Sequence, residues 1–153
     1  MTDEDLKELA YHLRELHADL IGIRRDLETA ASPGTDRVIQ GAWNGAWAML
    51  EHDLEVHLPR ALALLGKTLP PFQVPQGRRA GAAAIPASAA REALRLVDHA
   101  FAVLPPDDVD PSLAASKLAD VAGAIHAAYQ IAAEMLAVVS PADDEDQSDK
   151  STD

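Results

Sequence analysis

LKELAYHLRELHADLIGIRRDLETA, residues 6–30, decides the fold. Its apolar residues Leu6, Leu9, Leu13, Leu16, Leu20, Ile23, Leu27 and Ala30 alternate at spacings of three and four. That repeat of about 3.5 residues lays one unbroken seam along a single helix. A helix written this way buries its seam against other helices. A second seam, Leu118, Val121, Ile125, Ala128, Ala132, Met135 and Val139, repeats the pattern. Together they predict an all-α protein, a left-handed four-helix bundle with both heptad-like seams in one core.

Composition fits one helical domain. The chain has 153 residues, 48% of them apolar and only 4% aromatic, so its core is built from Leu, Ala and other small or branched aliphatic side chains. The formal net charge is −12. Binding a nucleic-acid polyanion needs a basic patch, and the densest basic points are the pairs Arg24-Arg25 and Arg78-Arg79. Nucleic acid and membrane surfaces are therefore not expected partners. No cysteine is present, which excludes disulfides, thiolate catalysis and cysteine-based zinc sites. The start, Met-Thr-Asp-Glu-Asp, lacks the apolar run of a secretory signal. The most apolar window, Leu118 to Val139, carries Asp120, His126, Gln130 and Glu134, which argues against a membrane span. A cytoplasmic protein is the expectation.

Punctuation sets the helix boundaries. The first helix is expected over about 3–31, with Thr2 as N-cap and Asp3, Glu4 and Asp5 at the positive end of the helix dipole. Ser32-Pro33-Gly34 ends it. The second begins after Thr35 and runs to about Leu65, with Gly66 as its stop. At ~100° per residue, Ile39, Trp43, Ala46, Trp47, Leu50, Leu54, His57, Leu58, Ala61 and Leu65 share a face. Pro59 predicts a kink or break near residues 56–59. Prolines and glycines over 67–86 forbid a continuous helix; this connection either returns along the bundle to a parallel neighbour or loops locally. The third helix is expected over about 87–104. The fourth starts at Pro111 behind the N-cap Asp110 and runs to about 139. Residues 1–139 then form one domain, and the acidic residues 140–153 are expected to be a disordered tail.

The richest candidate site is Glu51-His52-Asp53-Leu54-Glu55-Val56-His57. Asp53 and His57 are one helical turn apart and can share a hydrogen bond or a metal ion, and the wheel puts His57 beside the apolar seam. Carboxylate and histidine on one helix are half of a bundle metal site. The other half must come from a facing helix. The first helix offers Glu8, His12 and His17, and the fourth offers His126, Gln130 and Glu134. The Glu-x-x-His spacing of di-iron carboxylate bundles is absent from the second and fourth helices. His57 and Asp53 are thus the metal-site candidates; the competing reading is a His57 satisfied by Asp53 or by a carbonyl freed at Pro59. On the same wheel Glu51 and Glu55 point to solvent, and His12, His17 and His99 fall on flanking or surface positions. No phosphate-cradling loop, nucleophile elbow or zincin helix occurs, so neither a catalytic residue nor a cofactor is assigned.

Trp43-Asn44-Gly45 resembles the Trp-x-Gly turn of the small helical-hairpin proteins secreted by type VII systems, at a similar position in the chain. The resemblance implies a secreted helical protein. It covers three residues: here Ser32-Pro33-Gly34-Thr35 supplies the hairpin turn, and Tyr129 is followed four positions later by Ala133 rather than an acid. The leading expectation is a non-enzymatic interaction protein that meets a protein partner or a second copy through its unusually apolar fourth helix. The alternative is a bundle holding a metal or small ligand around His57 and Asp53.

Overall fold

The computed structural model describes residues 1–69, 71 and 87–152, with side chains described to Met135. Its helices are α1 (Asp3–Ala31), α2 (Asp36–His52), α3 (Leu58–Leu64), α4 (Ala87–Val103) and α5 (Pro111–Thr152), and a π-helical turn over Asp53–His57 joins α2 to α3. α2, the π turn and α3 form one rod, so the architecture is a bundle of four rods. No described helix is long and apolar enough to cross a membrane.

The caps act as their sequences require. The Thr2 hydroxyl accepts from Asp5 N–H while the Asp5 carboxylate accepts from Thr2 N–H, a reciprocal capping box. Thr35 accepts from Val38 N–H, and Asp110 accepts from Ser112 N–H ahead of α5. Gly66 follows α3 at φ +74°, the left-handed conformation that ends a helix at little cost only in glycine.

α1 packs against α2 and α4, and α5 packs against the same two helices from the opposite corner. Contacts fix the directions. His12 meets His57 and Glu8 meets Arg60, so α1 and α2 are antiparallel. Arg24 pairs with Asp98 and Arg14 with Asp107, so α1 and α4 are antiparallel too. α2 and α4 therefore point the same way from diagonal corners, not as adjacent neighbours. The connection between them falls mostly on residues outside the described set.

Both seams lie in one core. Leu9, Leu13, Leu16, Leu20, Ile23, Leu27 and Ala30 are buried, and from α5 so are Leu118, Val121, Ile125, Ala128, Ala132 and Met135. Leu6 is the exception. It sits in the first turn of α1, beyond the packed length, and is 40% exposed. Trp43 is fully buried and Trp47 partly so. Trp43, Asn44 and Gly45 lie inside α2 rather than at a turn. α5 is central: Ala122, Ala124 and Ala133 beside its seam are also buried. α5 is assigned as helix through Thr152. The expected end near 139 and the expected acidic tail over 140–153 lie outside the residues whose side chains are described.

The expected kink or break near Pro59 takes a different form. The rod continues, and one turn widens. Leu58 N–H donates to Asp53 O, five residues back. Proline has no N–H to donate to the carbonyl four residues earlier and its ring crowds that carbonyl. A turn closed over five residues gives the ring room without ending the helix.

Leu20 is fully buried and Ile21, its neighbour, is largely exposed. Leu20→Ala should cost about 2–5 kcal/mol in urea unfolding. Ile21→Ser should stay within about 0.5 kcal/mol. Similar costs for both would contradict this placement of the α1 seam.

Candidate metal centre

The π turn changes which side chains share a face. In an α-helix, residues five apart are turned ~140° from one another. A turn closed from i to i+5 brings such residues back toward alignment. His52 and His57 stand in this relation, their ring centroids 5.0 Å apart and the planes nearly perpendicular. Asp53, at the junction with α2, is fully inside at 0% exposure, and His57 at the far end of the turn is 5% exposed.

Facing it, α1 carries Glu8, His12, Glu15 and Asp19, each one position before a residue of the seam. His12 Nδ1 lies 2.9 Å from His57 Nδ1, across a buried contact. His12 Nε2 is 3.4 Å from Glu8 Oε2, and Arg60 Nη2 donates to that same oxygen at 2.9 Å. On the other side of the His57 ring, Nε2 faces Asp19 Oδ2 at 4.0 Å, beyond hydrogen-bond range. One ligand atom each from Asp19, His52 and His57 lies within 4.8 Å of the others. These three residues come from two rods, with His52 exposed, Asp19 half-buried and His57 buried.

The electrostatics are those of crowded acids. Neither Asp53 oxygen nor Asp19 Oδ2 meets a donor among the described residues, and the two carboxyls can only share a proton. Burial first, then the hydrogen bond to Asp19, then the charges of Asp19 and Glu15, push Asp53 up to about 10. Metal-free, the chain must hold a proton there near neutrality. Burial also pushes the His57 imidazole down, against the opposing pull of Asp19, with His12 and His52 adding to the depression. A neutral imidazole beside an acid is the state in which histidine ligates a metal.

Of the two residues expected to share a metal, His57 belongs to the converging set. Asp53 is buried beside it, on the side of Asp19. Two positions read from an α-helical wheel need correction. His12 flanks the seam but does not lie on the surface; it is 6% exposed and is the direct partner of His57, in place of Asp53 or a freed carbonyl. Glu51 does not simply face water; it accepts a 2.8 Å hydrogen bond from the buried Tyr129 hydroxyl, whose pKa burial and this carboxylate raise to about 12. Asp19 escapes the sequence reading altogether. Its signal is the stripe 8, 12, 15, 19, which has the heptad spacing of the seam itself. His17 instead packs edge-on against Phe101 of α4. A separate cavity of about 540 Å³ opens between α3 and α5, lined by residues such as Leu62, Lys67, Ala119 and His126, and none of the cluster lines it.

Asp53 makes stability fall with pH in the metal-free protein. Between its ordinary value of 3.8 and about 10, the folded chain keeps a proton that the unfolded chain releases. Each rise in pH through that window therefore lowers stability. Asp53→Asn removes the contribution. Urea unfolding across the window should show the variant gaining on the parent steadily, by something on the order of several kcal/mol near pH 8. Parallel stability curves would show that Asp53 ionises as an ordinary surface acid.

No protein-family model, curated protein or solved structure matches the chain, so its function is argued from this geometry.

Proposed function

We propose that this protein is a metal-binding helical bundle that takes one divalent first-row transition ion between α1 and the π turn. The observation that carries the reading is the convergence of Asp19, His52 and His57 ligand atoms within 4.8 Å of one another, beside the buried carboxyl of Asp53. Imidazole nitrogens mixed with carboxylate oxygens suit zinc, copper, iron, cobalt or nickel better than calcium or magnesium, which prefer all-oxygen cages. A net charge of −12 favours cation capture from solution. An ion would also offset the charge of the neighbouring carboxylates Asp19 and Glu15. The partner-surface reading leans on α5, much of whose apolar flank is turned into the bundle. The His–Asp constellation is the more specific support.

Protein stripped with chelator should bind about one Co²⁺ per chain, read by the visible absorption of a nitrogen-containing site, and Zn²⁺ should displace it. His57→Ala and His52→Ala should each weaken Zn²⁺ by more than about 100-fold, beyond the 10–100-fold range of outer-shell losses. Circular dichroism checks that both variants stay helical. Unchanged affinity in His57→Ala, or no binding by the parent chain, would end this reading.

A further inference from the structure

Three contacts run in a line behind the proposed site: Glu8 to His12 at 3.4 Å, His12 to His57 at 2.9 Å, and His57 to Asp19 at 4.0 Å. The line has a direction. A carboxylate only accepts, so the His12 nitrogen facing Glu8, Nε2, carries the hydrogen. Arg60 already holds the same Glu8 oxygen, so the carboxylate's charge is shared before His12 reaches it. A neutral His12 then has a bare lone pair at Nδ1. That atom is 2.9 Å from His57 Nδ1, so His57 Nδ1 must be the donor. The single proton of a neutral His57 is thereby used, and its Nε2 is left bare. Nε2 faces Asp19 Oδ2 across a gap too long for a hydrogen bond. A bare imidazole nitrogen and a carboxylate oxygen at that separation leave room for a cation between them.

From this chain of contacts we infer that Glu8 and His12 are positioning residues, which fix His57 as the Nδ1–H tautomer and so assign its Nε2 as the metal ligand. The inference rests on the metal reading above and adds the ligand atom, the tautomer and the two residues that set them. Histidine ligands are generally held in this manner, the second ring nitrogen donating to a carboxylate or carbonyl. Here a second histidine stands between ligand and carboxylate. The arrangement separates His12 from the ligand set although it lies closest to His57. It also ties α1 to the π turn through a buried hydrogen bond present before any ion arrives. Tyr11, itself largely exposed, lies edge-on to both imidazoles at 5.1 and 6.1 Å.

The tautomers are directly measurable. Two-bond proton–nitrogen correlations on ¹⁵N-histidine-labelled, metal-free protein near neutral pH should show His57 protonated at Nδ1 alone and His12 at Nε2 alone. One equivalent of Zn²⁺ should then move His57 Nε2 and leave the His12 nitrogens unligated. A His57 protonated at Nε2, a doubly protonated His12, or zinc ligation at either Nδ1 overturns the inference even if zinc binds. His12→Ala and Glu8→Ala should each weaken Zn²⁺ about 10–100-fold. His12→Gln, whose amide oxygen can accept from His57 Nδ1–H, should recover most of the loss, which a purely structural role would not give. Parental affinity in both alanine variants overturns the positioning role. A parent chain with the stated tautomers but no zinc binding instead removes the metal reading, and the inference with it.

Discussion

The missing N–H of Pro59 is the constraint on which the site depends. An α-register through this proline would drive its ring into the carbonyl of Glu55. The chain keeps its rod by widening one turn, with Leu58 N–H reaching back to Asp53 O. α3 then resumes with Leu58, Ala61 and Leu62 in the same core as α2. The extra residue in that turn rotates α2 against α3 about their shared axis. His52 and His57 come onto one side, while Asp53, still in register with the buried Ala46 and Leu50 of α2, faces inward before the turn widens. Single π turns inside α-helices recur at functional sites for this reason: they re-aim side chains without breaking the element that carries them.

Such a cluster costs stability, and the bundle is built to carry it. A buried polar group left unsatisfied costs about 1–3 kcal/mol, and Asp19 and Asp53 bury three oxygens with no donor among the described residues but the proton they can share. Against this, fully burying one leucine or isoleucine contributes about 1.5–3 kcal/mol. α1 alone buries Leu13, Leu16, Leu20, Ile23 and Leu27 without residual exposure. The seam therefore supplies the stability while its flank carries the polar cluster. Departures from good polar satisfaction in an otherwise consistent sequence are expected at functional sites rather than scattered over the fold.

Periodicity and punctuation make most of the fold legible. Seven of the eight α1 seam residues, the α5 seam to Met135, the three N-caps and the stop at Gly66 are all readable, because each depends on local spacing or on one residue's conformational preference. Leu6 departs from its seam because a repeat does not announce where its packing partner ends. The site is half legible. His57 can be found because a histidine on an apolar face is visible on a wheel. His12 and Glu51 are misplaced by small angular errors, since a wheel cannot tell a flank that meets a neighbouring helix from one that meets water. The pairing of His52 with His57 is out of reach for a physical reason. The wheel assumes ~100° per residue throughout, and a proline signals a break as readily as a widened turn.

One register links the core to the cluster. Along the antiparallel pair, each advance on α1 is matched by a retreat on the second rod: Glu8 opposite Arg60, His12 opposite His57, Asp19 opposite His52, Asp26 opposite Gly45. At the last of these, a Cβ on residue 45 would stand 2.6 Å from an Asp26 carboxylate oxygen, so glycine lets that carboxylate fit against α2. The four α1 residues are spaced like the seam and lie one step to its side. Whatever fixes the seam against α2 therefore fixes them as well. Sliding α1 by one turn would return leucine to leucine and leave much of the apolar packing intact. It would also separate His12 from His57 and Asp19 from His52. The polar flank thus holds the bundle to one of several registers that its leucines would tolerate, and the contacts that select that register are the ones that assemble the proposed site.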